Sequence, residues 1–516
     1  MKSTLSKIAS VPAVKVPGSQ HIVVIGAGFG GLAAAIRLQA AGCQVTVIEA
    51  RAKPGGRAYQ LKDQGFTFDM GPTLITAPNL LEDLWRVAGR DLHTDLDLIE
   101  LSPFYRILFQ DGQSFDYWGK AAQDEAEIAR FEPRDVAGYR SFLAETKHIY
   151  ERAFVDLAGQ PFLSLGSMLR VTPELLSVGA QRSVYAFASR HFHNPYLRMV
   201  FSFHPLFIGG NPFRASAIYS IVPYLERLGG VYFARGGMYT LVEALEKLFC
   251  SLGGELRCGT PVEEIVLKDR RAVGVRLQDE MVVTADSIVA NSEVAHTYLR
   301  LLPEQQRPRL LTGRLGHYRY SMSCFLLYLG LKRQYPHLRH HTVMMPQQYR
   351  RLISAIFDGQ GLPTDLALYL HTPTRTDPTL APPGGESLYV LAPVPNLAHG
   401  IDWTHESQAF RDRIVHFLEK EAGLEGLAEN IVVEHQFTPL DFGSELRSHL
   451  GAAFSIEPTL TQSAYFRPHN RSGAIGGLYL VGAGTHPGAG IPGVLLSAEL
   501  TSRLVTDDIR AGINKM

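Results

Sequence analysis

A glycine-rich turn near the start of the chain constrains its fold more than any other feature. The apolar run His21–Ile25 leads into Gly26-Ala27-Gly28-Phe29-Gly30-Gly31, and a helical pattern follows over 32–41. A strand, such a turn and a helix in this order form the phosphate-binding unit of doubly wound α/β sheets, in which the helix N-terminus faces the phosphates. We therefore predict an α/β fold with a Rossmann-like dinucleotide site.

The glycines of this turn and the next acidic residue have separate predicted roles. Gly26 allows a sharp turn after the strand, Gly28 allows close approach of a pyrophosphate, and Gly31 allows close packing of the helix on the sheet, with Gly30 in the same turn. A second apolar run ends at Glu49, 18 residues after Gly31 and near the spacing of about 20 at which an acid binds a ribose hydroxyl. NAD and FAD share this pattern, so other segments must distinguish them.

Two later turns favour a flavin nucleotide. Arg51, Gly55, Gly56 and Arg57 follow Glu49 closely, and the paired glycines permit close backbone approach while Arg57 offers a planar cation to a phosphate or to the flavin. The turn Gly71-Pro72-Thr73 is expected to bring backbone amides near the flavin ring.

The C-terminal end contains a second set of glycine turns. The sequence Leu478-Tyr479-Leu480-Val481 precedes Gly482-Ala483-Gly484-Thr485, and a helical pattern begins at Gly493 and Val494. The N-terminal amides of that helix can face the flavin edge on which negative charge collects during reduction. Three short strands, at 254–266, 272–277 and 282–290, are expected to complete the cofactor domain, with Val262 near the adenine. A ligand long enough to need both ends of the chain points to FAD.

The length of 516 residues exceeds the size at which single cores usually stop growing, so we predict two intimately joined domains. The predicted parts are a disordered tail at 1–20, an FAD-binding domain at 21–75, 231–300 and 471–516, a helical cap and membrane-contacting region at 76–230, and a substrate-binding domain at 301–470. The last is expected to hold a mixed sheet and one helix, with strands at Ser323–Leu331, 366–371, 387–394 and Ile431–Phe437 and the helix at 405–421.

Charge and cysteine content exclude several classes of partner. Lysine plus arginine equals aspartate plus glutamate, 50 each, which removes any global electrostatic argument for nucleic acid. The four cysteines form no metal or disulfide pattern. His340-His341 and His191-Phe192-His193 lack a carboxylate or cysteine at ligand spacing, so we predict no metal.

Segment 161–235 differs in composition from the rest of the chain. It holds seven arginines against two acids, together with thirteen aromatic residues. Such helices can lie at a bilayer interface with their cations toward anionic headgroups, so we predict a peripheral, monotopic membrane contact that includes Arg170 and Arg198. A helical cap with core aromatics and solvated arginines is the alternative.

Several longer motifs together are specific. They are Val24 to Ala33, Pro54-Gly55-Gly56-Arg57-Ala58-Tyr59, Gly65-Phe66-Thr67-Phe68-Asp69, Phe201-Ser202-Phe203-His204, Gly209-Gly210-Asn211-Pro212-Phe213, Leu391-Ala392-Pro393-Val394-Pro395, Thr461-Gln462-Ser463-Ala464 and Leu478 to Gly493. Through these motifs, residues 20 to 510 resemble the bacterial-type phytoene desaturases of the flavin-dependent carotenoid desaturase family, within the flavin amine oxidase-like superfamily.

The resemblance implies an FAD-dependent oxidoreductase that acts on CH–CH bonds. Its substrate would be a linear carotenoid, with phytoene converted to lycopene or to a partly desaturated intermediate by hydride transfer to flavin N5 and loss of a vicinal proton. It also implies an electron acceptor such as oxygen or a quinone and a peripheral place on the cytoplasmic side of a membrane. Arg182 matches a cap segment near the flavin and is the catalytic candidate, although arginine is a poor proton acceptor.

Three alternatives stay open. A desaturase of a related polyene, such as diapophytoene or a hydroxylated carotenoid, would share every motif. A protoporphyrinogen or amine oxidase would need a charge in the cavity that complements its substrate. A prenyl-binding escort protein without flavin would have an eroded glycine pattern.

Overall fold

The computed structural model describes residues 16, 19–155, 159–359 and 361–513, with side chains described throughout except at 153–155. The predicted disordered tail at 1–20 lies almost wholly outside these residues. The chain forms a mixed α/β fold with two principal sheets, and a large cavity lies between them.

The first principal sheet is parallel and brings the two ends of the chain together. His21–Ile25 is its central strand and pairs with Gln44–Ile48 on one side and with Ser287–Ala290 on the other. The outer strands are Glu255–Arg257 and Leu478–Leu480. Three helices cover this sheet and share its core: Phe29–Ala40, Tyr239–Ser251 and Ile491–Arg510. The predicted N-terminal strand is confirmed. The two predicted helices, Phe29–Ala40 and Ile491–Arg510, begin two or three residues before their predicted starts.

The apolar runs between 254 and 290 contain five strands, whereas we expected three. Glu255–Arg257 and Ser287–Ala290 join the parallel sheet, while Val262–Lys268, Arg271–Leu277 and Val282–Thr284 form a separate antiparallel sheet. The first run divides where Gly259 adopts a left-handed backbone, with φ of 65°, and Pro261 lacks an N–H for the ladder. A single apolar run in the sequence can therefore contribute strands to two different sheets.

The second principal sheet has seven strands and contains the predicted strands of the 301–470 segment. In spatial order they are Ile431–Phe437, Ser323–Leu331, Glu386–Val394, Leu368–His371, His341–Met344, Tyr105–Leu108 and Ser114–Tyr117. Alternate residues of the wholly buried strand Ser323–Leu331 face opposite sides. Phe325 and Leu327 pack on the helix Trp403–Glu421, whereas Cys324 and Leu326 line the cavity.

The 76–230 segment is not a purely helical cap. Two of its strands, at 105–108 and 114–117, complete the edge of the seven-stranded sheet, because Tyr105–Leu108 pairs in parallel with His341–Met344. The remainder is mostly helical, as expected: Pro78–Val87, Leu92–Asp95, Ala121–Phe131, Asp135–Ile149, Leu165–Ser177, Val184–His191, Pro195–Val200 and Val222–Gly229.

Smaller elements join these layers. They are the hairpin Gln60–Asp63 with Phe66–Asp69, the small sheet of Ile75–Thr76, Val231–Ala234 and Leu98–Glu100, and the helices Val294–His296, Arg309–His317, Tyr349–Asp358, Leu427–Asn430 and Pro439–Ser444. Among the described residues, none of the helices combines the length and apolarity that crossing a bilayer requires.

Candidate functional site

The cavity between the two principal sheets has a volume of about 510 Å³, within the usual range for ligand sites. One part of its wall consists of the glycine turns from both ends of the chain, and the other part is mostly apolar. Fifteen residues predicted to bind the cofactor line it: Gly26, Gly28, Gly30, Glu49, Arg51, Gly55, Gly56, Arg57, Gly71, Pro72, Thr73, Val262, Gly482, Gly493 and Val494.

The two glycine turns are in direct contact. A Cβ atom on Gly30 would lie 3.2 Å from the Cα of Gly482, and both residues line the cavity. The Asn291 side chain lies between them, since the same Cβ would be 2.7 Å from its Oδ1 and a Cβ on Gly482 would be 2.8 Å from that atom. Segments separated by about 450 residues therefore form one wall.

The first helix presents a free N-terminus to this wall. Phe29–Ala40 begins after Gly28, and no side chain in the described part of the chain caps it. Gly28 also pairs with Gly55, whose N–H donates to the carbonyl of Ala27 at 2.9 Å. Uncapped amides at the positive end of a helix dipole suit an anionic phosphate.

Glu49 is almost completely buried, and its carboxylate connects the first glycine turn to the segment that follows Glu49. Its Oε2 accepts a hydrogen bond from the Ala27 N–H at 2.7 Å, and its Oε1 accepts one from the Arg51 N–H at 2.9 Å. A carboxylate has further lone pairs, and Glu49 lines the cavity. The predicted contact with ribose hydroxyls is therefore compatible with these two bonds.

Arg57 carries an unsatisfied donor on the cavity wall. Its Nη2 donates to Ser448 Oγ at 2.7 Å, while its buried Nε has no hydrogen-bond partner among the described residues. Burial lowers the pKa of the Arg57 guanidinium, and the negative charge of Glu293 opposes that shift. A buried donor without a partner costs free energy, so the site fits a ligand that brings an acceptor, such as a phosphate or a flavin carbonyl.

Three predicted cofactor residues do not line the cavity but support those that do. A Cβ on Gly31 would lie 2.0 Å from the Gly26 carbonyl oxygen, and one on Gly484 would lie 2.5 Å from Val294 Cγ2. Thr485 is fully buried and donates its hydroxyl to the Gly482 carbonyl at 3.1 Å. Gly31 and Gly484 thus pack closely against neighbouring segments, and Thr485 holds the Gly482 turn in place.

The C-terminal helix also starts at the cavity. Ile491–Arg510 has no capping side chain among the described residues, and its first turn contributes Ile491, Gly493 and Val494 to the wall. Arg467, itself buried, donates to the Ala483 carbonyl at 2.8 Å and so holds the preceding loop. Two helix N-termini thus point into the same half of the cavity.

Sequence reasoning missed Asn291 and Glu293, which both line the cavity. Asn291 follows the strand Ser287–Ala290 directly, and its backbone N–H donates to the Ile25 carbonyl at 2.8 Å. The carboxyl ends of neighbouring parallel strands meet at one edge, which is where ligands bind in such sheets. The position of Asn291 directly after a predicted strand of the parallel sheet could therefore have identified it as a residue of the ligand site.

The other half of the cavity is mainly hydrocarbon and aromatic surface. Its side chains come from the seven-stranded sheet, from the 76–230 segment and from adjoining loops, and they include Leu74, Phe203, Leu206, Phe207, Ile221, Leu225, Met322, Leu326, Val343, Leu391 and Leu446. Apolar walls of this kind bind an apolar ligand through surface burial, without ion pairs.

Arg182 does not belong to this wall. It is exposed, it precedes the helix Val184–His191, and it is absent from the described residues that line the cavity. Its carbonyl accepts the Ala217 N–H at 2.8 Å, which stabilises the loop. The expectation that Arg182 acts at the flavin is therefore not supported by its position, because the cap segment turns this side chain outward.

A third histidine joins the pair His340-His341, in a way that linear spacing does not show. His371 lies opposite His341 in the sheet register, and its Nε2 is 3.1 Å from His340 Nε2. Burial lowers the pKa of His340 to about 3, and those of His341 and His371 fall well below the ordinary value. The three neutral imidazoles are arranged so that they could hold a metal, and the absence of a metal stays a prediction.

Comparison with known proteins agrees with this geometry. The flavin containing amine oxidoreductase family matches residues 29–506. The chain is 49% identical over 489 residues to the lycopene-forming phytoene desaturase of Pseudescherichia vulneris, covering 95% of this chain and 99% of that one. The chain belongs to the bacterial phytoene desaturases. The corresponding enzyme of Pantoea ananas is 47% identical, over 94% of this chain and 99% of that one.

Other members of this phytoene desaturase family differ in the product that their names record. The neurosporene-forming enzyme of Rhodobacter capsulatus is 42% identical over 95% of this chain and 94% of its own length. Among solved structures, an oxidoreductase from Methanosarcina mazei matches with a TM-score of 0.60 and 17% identity, over 94% of this chain and all of that one. Wild-type putrescine oxidase bound to putrescine matches with a TM-score of 0.58 and 16% identity, over 96% of this chain and 99% of that one. These two structures establish the flavin amine oxidase-like fold alone, and the desaturase family makes the chain a flavin oxidoreductase.

Proposed function

We propose that this chain binds FAD and desaturates phytoene to lycopene. The observation that carries the proposal is the division of one cavity into a glycine-lined half with two helix N-termini and a largely hydrocarbon half. The relatives of 47–49% identity over nearly the full chain are named as lycopene-forming phytoene desaturases. The neurosporene-forming relatives are 41–42% identical, which favours lycopene as the product.

The residues around the glycine turns suit FAD in particular. Glu49 would hold the ribose, the amides of Phe29–Ala40 would face the pyrophosphate, and Arg57 with the start of Ile491–Arg510 would contact the flavin end. The negative charge of Glu49 disfavours a 2′-phosphate. When bound, FAD supplies the two-electron acceptor for a hydride, and the protein orients the substrate and excludes water around it.

A carotenoid offers no polar handle, so the apolar half of the cavity must bind it by surface burial. The relatives of 47–49% identity are named as phytoene desaturases, which disfavours an amine or a porphyrin as the substrate. The desaturases of diapophytoene, at 31–34% identity, are the nearest alternative in chemistry, and cavity length would separate them from this chain. Oxygen or a quinone would reoxidise the flavin.

The first test gives the purified protein, with FAD, to liposomes loaded with phytoene. We expect coloured product that elutes with lycopene on chromatography, and FAD as the flavin released on denaturation. Omission of FAD from a flavin-depleted sample is the control and should abolish the colour. Conversion of a shorter or hydroxylated polyene in place of phytoene would contradict the substrate assignment.

We further propose that the protein lies peripherally on the cytoplasmic side of a membrane, from which it takes its substrate. The helix Leu165–Ser177 supports this proposal, because Leu165, Leu169 and Leu176 are at least half exposed and Arg170 is exposed beside them. Its buried face packs against the segment 464–466, next to Ser463, whose hydroxyl lies 3.2 Å from the hydroxyl of cavity-lining Tyr219. This helix is thus close to the cavity wall.

Replacing Leu169 by Ser together with Arg170 by Glu should weaken binding to anionic liposomes by at least tenfold. The change removes a leucine that is 63% exposed and reverses one charge, and each basic residue near an anionic surface contributes about 1 kcal/mol. Co-sedimentation measures the effect, with Met281→Ser as the control because Met281 is 52% exposed directly before the strand Val282–Thr284. Arg198 is half-buried and donates to the Phe192 carbonyl at 2.8 Å, so reversing its charge should weaken liposome binding less than reversing that of Arg170. Equal losses for the control would count against this helix as the contact.

A further inference from the structure

A histidine and a glutamate lie together in the apolar half of the cavity, where a hydrocarbon ligand requires neither. His204 and Glu226 both line the cavity, at 2% and 1% exposure, and His204 Nε2 is 3.6 Å from Glu226 Oε2. Burying such groups costs free energy unless they are paired, and even a paired site gains little over an apolar one. Their presence therefore calls for a chemical explanation.

The atoms through which the two residues face each other have no hydrogen bond among the described residues. Both ring nitrogens of His204 and the Oε2 of Glu226 have no hydrogen-bond partner among the described residues. The imidazole instead stacks on Phe203, with ring centroids 4.3 Å apart, and meets the edge of Tyr105. Burial, with the charge of Glu226 as a smaller cause, raises the pKa of the Tyr105 phenol well above its ordinary value, so Tyr105 stays protonated.

The pair lies close to the turn that borders the flavin half of the cavity. The ring centroids of His204 and Phe207 are 6.3 Å apart, and those of Phe207 and Tyr369 are 6.0 Å apart, both in edge-to-face geometry. The Tyr369 hydroxyl is 2.5 Å from Thr73 Oγ1, which belongs to the turn Gly71-Pro72-Thr73. All of these residues line the cavity, so one continuous surface runs from the glycine half to the His204–Glu226 pair.

We propose that His204 is the proton acceptor of the desaturation and that Glu226 stabilises the imidazolium that forms. This assignment rests on the proposed function. On one carbon, the C–H bond breaks and both of its electrons leave with the hydride for the oxidised flavin. On the adjacent carbon, the C–H electron pair becomes the new π bond, and the proton bonds to a ring-nitrogen lone pair of the His204 imidazole. The carboxylate 3.6 Å away then faces a cation.

The pair has the composition of a general base with an orienting carboxylate. A base positioned at the reacting carbon contributes about 100- to 10,000-fold to a rate. Separations of acid–base pairs are often longer in ligand-free structures than in the reacting complex. Arg182, by contrast, is exposed and lacks a lone pair to accept a proton.

The test compares His204→Ala and Glu226→Gln with the unchanged protein, all loaded with FAD. We expect the rate of phytoene conversion to fall at least 100-fold in His204→Ala and less in Glu226→Gln. The phytoene retained per protein after extraction from liposomes, and the bound flavin, should stay within twofold, because neither contact is needed for apolar burial. Added imidazole should restore part of the rate to His204→Ala. Free imidazole can replace a missing proton acceptor, but it would not correct a structural defect.

A matched control exists in the same cap. His191 Nε2 is 3.6 Å from Glu145 Oε2, the same separation, but neither residue is among the described residues that line the cavity. Glu145→Gln should leave the rate unchanged. If the unchanged protein converts phytoene and His204→Ala does so at the same rate, the proton-acceptor assignment is wrong while the proposed function stands. If the unchanged protein converts no phytoene, the proposed function itself fails.

Discussion

Gly31→Ala should lose most of the bound flavin and unfold more easily. The added Cβ would lie 2.0 Å from the carbonyl oxygen of Gly26 and 3.1 Å from the Cβ of Asn291. The oxygen is backbone, and the asparagine is held between the two glycine turns, so the first helix must move away from the sheet. Overpacking of this kind costs about 1–3 kcal/mol, and the same movement withdraws the helix N-terminus from the cavity.

The measurement for Gly31→Ala is the ratio of bound flavin to protein, together with the midpoint of thermal unfolding. We expect flavin affinity to fall about 10- to 100-fold, which corresponds to about 1.4 kcal/mol for each factor of ten. Gly313→Ala is the matched control, because Gly313 lies in the helix Arg309–His317 and an added Cβ would have open space beyond its own helix among the described residues. That control should be neutral or stabilise by about 0.5–1 kcal/mol. Full flavin content in Gly31→Ala would contradict the packing argument.

Glu49→Ala is expected to have the second large effect. It removes the acceptor of the Ala27 and Arg51 N–H groups, and a buried donor left unsatisfied costs about 1–3 kcal/mol. It also removes the proposed partner of the ribose hydroxyls, so affinity for FAD should fall about 100-fold or more. Titration of the flavin-depleted protein with FAD measures the change.

Glu255→Gln is the control for Glu49→Ala. Glu255 is on the neighbouring strand of the same sheet, is exposed, and bonds to Thr46 and Arg257 at its surface. Its replacement should leave FAD affinity within twofold. Equal losses in both variants would mean that sheet stability, and not the Glu49 contacts, controls binding.

Elements whose signal is local were predictable from the sequence. The strands His21–Ile25, Ser323–Leu331 and Ile431–Phe437 match their predicted bounds, and the helix Trp403–Glu421 begins two residues before its predicted start. These segments show continuous apolar runs or helical spacing over several turns, so the spacing of their apolar residues by itself indicates a strand or a helix.

The strand segments between 254 and 290 show where local patterns fail. An apolar run indicates a strand but not its partner, and pairing is decided by segments far away in the chain. The same holds for the strand Tyr105–Leu108, which lies in a helical insertion yet completes a sheet built from residues more than 200 positions later.

The sequence alone determined that a strand, a glycine turn and a helix occur at each end of the chain, because the turn chemistry needs glycine at specific positions and tolerates little else. Only the tertiary structure decided which residues face the cavity. It turned Gly31, Gly484 and Thr485 into supports, placed Asn291 between the two glycine turns, moved Arg182 to the surface and brought His204 to Glu226. The physical reason is that a side chain's neighbours across a cavity depend on how separate elements pack, and that packing is set by the whole core at once.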